Sequence, residues 1–192
     1  MDNWYAFALF IHVSSTMALA AALGIMTVCE LRIGNAWTLE QLRDWVGLAD
    51  RTGKALGMIS PVLLLSALYL VHLRWSYSSA WVIGALMMFL AMALSGRLVV
   101  GQRLLAILDA GIKEGGVSPG IRKMIENPIL RWHPRLRVGI FAWLLLLMTI
   151  KPGFEITVGT LVLAIAISVV LIQLDRTGQT RGVAPVVVKG GR

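Results

Sequence analysis

The 192-residue sequence holds one cysteine, Cys29. A single thiol excludes an intrachain disulfide and any multi-cysteine metal centre. Acidic residues are scarce as well: ten aspartates and glutamates face eighteen lysines and arginines, for a formal net charge of +8. No acidic pair falls in the middle of an apolar run, which weakens a proton-pump reading. There is no phosphate loop, no dinucleotide-binding glycine fingerprint and no nucleophile elbow. The opening Met1-Asp2-Asn3 lacks the basic stretch of a secretory signal. The apolar run behind it is also too long for a signal's core, so a cleavable leader is not expected.

What the sequence has in excess is apolar surface. It is 57% hydrophobic, with a mean hydropathy of +0.76, against about 45–50% apolar residues in an ordinary soluble domain. The excess comes in runs long enough to cross a bilayer core, which takes about 20 residues. The expected fold is all-α: an integral membrane bundle of about five transmembrane helices in one domain, residues 1–175. The spans are predicted near 4–31, 55–75, 81–110, 137–150 and 154–174, with a polar, disordered cytoplasmic tail over 176–192. Pro61 is expected to kink the second helix, and Lys151-Pro152-Gly153 to form the turn after the fourth.

Between the first two spans, Thr38 and Gln41 resemble a capping box. A short surface helix follows from Leu39 to Ala49, with Leu39, Leu42, Trp45, Val46 and Ala49 on one face. Residues 111–136 read as a basic loop punctuated by glycine and proline. Most positive charge lies in 32–54, 111–137 and the tail; the two opposite loops hold little besides Arg74 and Lys151. The positive-inside bias then puts the N-terminus outside and the C-terminus in the cytoplasm. Basic residues placed this way face anionic membrane lipid and not nucleic acid.

This orientation gathers His12, His72 and Lys151 in the outer half, with His133 on the cytoplasmic side. An ionisable group inside a span is costly and normally has a partner. For His12 that partner is either a hydroxyl of its own bundle or a metal. Imidazole is a common axial ligand of haem iron, so b-type haem is the first candidate cofactor, with His12 and His72 as ligands. The two histidines are offset in depth by roughly 7 Å at a helical rise of 1.5 Å per residue. One bis-histidine site and two separate sites therefore both stay open. Lys151 and Arg74 are candidate partners of haem propionates, and Glu155 a candidate partner of Lys151. Copper, bound through His12 and Met17, is the alternative, because thioethers select Cu(I). Met88 and Met92, four apart on one face, are more often core filler. A third possibility is a non-catalytic membrane subunit docking a partner through its loops.

The run Phe10-Ile11-His12-Val13, followed by Ala20-Ala21-Ala22-Leu23-Gly24, resembles the start of small bacterial membrane proteins of the HemJ and CopD type. The run Leu144 to Pro152, ending in Lys-Pro, resembles the close of a late helix in HemJ. HemJ-type proteins are b-haem proteins that oxidise protoporphyrinogen; CopD-type proteins act in copper uptake. The resemblance implies a multi-pass protein of the bacterial inner membrane. It carries His12 over as haem or metal ligand and Lys151 as a functional lysine. The expected roles are electron transfer or a HemJ-like oxidation, with a quinone, a porphyrin or a redox protein as partner, in a homo-oligomer or a larger membrane complex. Whether the chain is itself an oxidoreductase stays open at this level.

Overall fold

The computed structural model describes residues 3–181, and among them there is no strand. Seven α-helices follow in order: α1 (Asn3–Gly34), α2 (Leu39–Arg74), α3 (Ala80–Ser95), α4 (Gln102–Glu114), α5 (Pro119–Ile125), α6 (Pro128–Ile150) and α7 (Phe154–Arg181). A π-helical segment, Gly96–Gly101, joins α3 to α4 without a break. Four stretches are long and apolar enough to cross a membrane: Asn3–Gly34, Leu39–Arg74, Ala80–Glu114 and Pro119–Ile150. Phe154–Ile167 is a shorter apolar helix. The chain is an all-α membrane bundle, as its hydropathy predicts.

The helices are longer than the apolar runs that announce them. At a rise of 1.5 Å per residue the first three spans measure about 48–54 Å, well beyond a hydrocarbon core of about 30 Å. The surplus extends past one end of the bundle and packs there into its own core. Met26, Cys29 and Ile33 of α1 meet Leu42, Val46 and Ala49 of α2, Leu104 and Ile107 of α4, and Ile121 and Ile125 of α5. Most of the basic residues lie at this end. A second core fills the other half, from Leu19 and Leu23 of α1, Leu63 and Val71 of α2, Trp81, Val82 and Ala85 of α3, and Trp143, Leu144 and Leu147 of α6. α1 packs most extensively on α2, and α7 lies against α6 and α3.

Several boundaries differ from those expected. The surface helix at 39–49 exists, with Leu42, Val46 and Ala49 buried on the anticipated face, but it runs on as α2 to Arg74. The charged run 50–54, which looks like a break, is bridged by an ion pair of Asp50 and Lys54 one turn apart, at 2.6 Å. Thr38 caps this helix, accepting from the Gln41 amide at 3.2 Å, while the Trp37 amide donates to Gln41 Oε1 at 3.1 Å.

The loop expected over 111–136 is mostly helix. Gly111 is buried inside α4; a Cβ there would lie 3.2 Å from Leu42 Cδ2. α4 ends at Gly115, whose φ of 70° is left-handed. Ser118 caps α5 ahead of Pro119, and Asn127 caps α6 ahead of Pro128. These prolines start helices, because the first helical residue needs no N–H bond. α6 therefore begins nine residues before the expected start at Arg137, and it has length enough to span. The tail expected from residue 176 begins inside α7; its remainder, 182–192, lies outside the described residues.

Candidate functional site

A cavity of about 320 Å³ lies in the half of the bundle that carries the N-terminus, between α1, α2, α3 and α6. Its walls are apolar and aromatic, among them Leu63, Val71, Trp81, Val82, Phe89 and Leu144. The polar side chains on it are few. His12 and Thr16 come from α1, with Tyr5 nearer the helix start, and Lys151 from the end of α6. Thr16 is already engaged, its hydroxyl donating to the His12 carbonyl at 2.8 Å. His12 and Lys151 are left as the two groups with chemistry to offer.

His12 is half-buried. Its Nδ1 lies 3.3 Å from Ser66 Oγ of α2, and Ser66 donates its own proton to the Leu63 carbonyl at 2.9 Å. A serine hydroxyl has one proton. With that proton on Leu63, Ser66 can only accept from the ring. Nδ1 therefore carries the hydrogen, and Nε2 is left as an unprotonated lone pair in the neutral imidazole. This assignment follows from the hydrogen-bond network, as histidine tautomers must. It is also the arrangement of metal-bound histidines, which donate their other ring N–H to a fixed acceptor. Among the described residues no group of three histidine, cysteine or acidic side chains comes together to hold a bare metal ion.

Lys151 closes α6 with a φ of 50°, a left-handed conformation that is rare outside glycine. The following Pro152-Gly153 prevents the helix from continuing. The bend sets the ammonium over the Trp75 ring, 4.5 Å from its centroid, and not against Glu155. Beside it, the Arg74 guanidinium stacks on Tyr5 at 4.9 Å, and Trp75 meets Trp81 edge-on at 5.6 Å. The cavity mouth thus has a collar of aromatic rings and two cations.

The expected residues separate into two groups. His12 and Lys151 share the cavity. Arg74 belongs to the collar but is not on the cavity wall. His72, the expected second ligand, is exposed, and its nearest ring is Tyr77 at 6.5 Å. It lies off the cavity and is not brought to His12. Met17 is 69% exposed and is likewise not on the cavity wall, so the pair expected for copper is not assembled. Met92 is core.

Comparison with known families, curated proteins and solved structures returns no match.

One cluster escaped the sequence reading. Arg137, expected at a loop edge, sits on α6 with its side chain 4% exposed. Its Nη1 lies 2.8 Å from Oε1 of Glu30, itself 2% exposed. Arg137 Nη2 also donates to Thr27 Oγ1 at 3.1 Å. One turn back on α6, His133, expected within the basic loop over 111–136, is half-buried with Nε2 3.3 Å from Ser95 Oγ. The available signal was Asn127-Pro128, a helix start that puts His133 and Arg137 on one helical face.

Proposed function

We propose that this protein binds an apolar ligand with an anionic edge in the N-terminal half of the bundle, and that b-type haem held by His12 alone is that ligand. The observation that carries the proposal is the Leu63–Ser66–His12 chain, which holds the protonated nitrogen on one side and leaves Nε2 as a free electron pair. His12 would hold the haem iron through Nε2. Ser66 would hold the ring in orientation, and Lys151 at the rim would meet a propionate. Haem in such a position supplies one-electron transfer. The apolar walls exclude water, and the collar of Tyr5, Trp75 and Trp81 shields the mouth.

The residues fit a single histidine better than a pair, because His72 faces away from the cavity. The space is modest. About 320 Å³ is at the lower end of the 300–1,000 Å³ typical of ligand sites, so a tetrapyrrole must leave one edge outside the walls. Lys151 is the group that such an edge would meet.

The test is optical. The full chain, purified in detergent and titrated with haem, is expected to develop a Soret band. His12→Ala should abolish the band, and His72→Ala should keep it. Lys151→Gly should keep the fold, because glycine adopts the left-handed turn freely, while weakening retention of the pigment. A band that survives His12→Ala overturns the ligand assignment, and a chain that gives no band with added haem overturns the haem reading.

A further inference from the structure

Among the described residues, three buried side-chain polar atoms carry no hydrogen bond: Glu30 Oε2, Arg137 Nε and His133 Nδ1. All three belong to one cluster at the basic end of the bundle, far from the His12 cavity. Residues 12 and 30 are eighteen apart on α1, about 27 Å at the helical rise. Such a coincidence has a chemical reading.

The ion pair is built in an unusual way. A guanidinium facing a carboxylate usually makes two parallel bonds, which satisfies both oxygens. Here Arg137 gives Nη1 to Glu30 Oε1 at 2.8 Å and turns Nη2 to Thr27. Oε2 is left open in a buried site, where an unsatisfied acceptor is costly. His133 repeats the pattern of His12. Ser95 donates to the Met92 carbonyl at 3.1 Å, so Ser95 Oγ accepts from His133 Nε2–H, and Nδ1 is left as a bare lone pair. The cluster therefore offers two open acceptors and one open donor. An added proton with a bridging water meets that inventory; a metal ion does not, since Arg137 repels it.

The backbone supplies a second, independent sign. Ser95 is the last residue of α3 before the π-helical segment Gly96–Gly101. Single π turns inside α-helices occur frequently at functional sites, and this one adjoins the serine that orients His133.

We propose that Glu30 is a buried proton-binding site. A proton from water at the basic end adds to Oε2, the carboxylate becomes a neutral acid, and Arg137 keeps a hydrogen bond but loses its counter-ion. The charged and titratable groups around it are Arg137 and His133 on α6 and Cys29 beside it on α1. α3 contributes Ser95, which faces His133.

A hydrophobic carbodiimide tests this, because it modifies a carboxyl only in the protonated form and reports by mass spectrometry of peptides. The full chain in lipid vesicles should be labelled at Glu30, and the yield should fall about tenfold per pH unit once the pH exceeds the carboxyl's pKa. Arg137→Gln removes the cation that favours the ionised form, so labelling at neutral pH should rise several-fold. If that variant does not fold, Arg137→Lys should keep labelling near the original level. The proposal is overturned if Glu30 stays unlabelled at mildly acidic pH while Glu155 reacts, or if Arg137→Gln leaves the yield unchanged.

Discussion

Removing one member of the Glu30–Arg137 pair should be far worse than removing both. The pair joins α1 to α6 at 2.8 Å, with side chains 2% and 4% exposed. Glu30→Leu leaves a guanidinium without its counter-ion in a dry interior, and Arg137→Leu leaves a carboxylate there. Each single change should cost about 3–5 kcal/mol, or roughly 2 to 3.5 orders of magnitude in the unfolding equilibrium. The double variant removes both charges and their desolvation together. It should fall near the original stability, or above it by as much as about 4 kcal/mol. The assay is a detergent-unfolding titration in mixed micelles, read by the fluorescence of Trp81 and Trp143, both buried. Single variants that lose less than about 1 kcal/mol would behave as an exposed pair does, and the reasoning would fail. A double variant whose loss equals the sum of the singles would also refute it, because uncoupled residues add.

Two further outcomes are expected. Gly84 sits where α3 meets α6 and α7: a Cβ there would lie 3.2 Å from Thr157 Cγ2 and 3.5 Å from Trp143 Cη2. Gly84→Leu should overpack this junction and destabilise the protein by about 1–3 kcal/mol, seen as a lower melting temperature in one detergent; an unchanged melting temperature would mean that the three helices do not meet there. Orientation can be read from added cysteines, because the native Cys29 is fully buried and should stay silent. Ser78→Cys should react with an impermeant maleimide from outside intact cells, and Ser118→Cys only after lysis; the reverse pattern would invert the topology drawn from the basic residues.

The apolar runs made the membrane class and the all-α fold legible, because hydropathy reports a bilayer solvent directly. The capping box at Thr38 and the turn at Lys151 were legible for the same kind of reason, a local rule written in adjacent residues. Helix continuity was not. Asp50 to Lys54 reads as a charged break until the i,i+4 pair closes inside α2. Pro119 and Pro128 read as breakers until Ser118 and Asn127 are seen to cap the helices they begin. Of the candidate site, His12 and Lys151 were visible because a polar group in an apolar run stands out. Glu30 was not, because it lies at the edge of its run and its partner is 107 residues away. Moving the start of α6 back to Pro128 changes the meaning of Arg137 from a headgroup contact to an interior charge.

The two ends of the bundle are packed differently. At the basic end, Cys29, Leu42, Val46 and Ile107 are 0–1% exposed, and α1, α2, α4 and α5 pack into one core. At that other end, Leu63, Val71, Trp81, Val82 and Leu144 each keep 7% exposure, and all five line the His12 cavity. Local stability is lowest where apolar contacts are fewest. The overhanging helices hold the bundle together at one end, which lets the opposite end keep open space inside an otherwise packed membrane protein. His12 sits in the open half and Glu30 at the tight one, on a single unbroken α1.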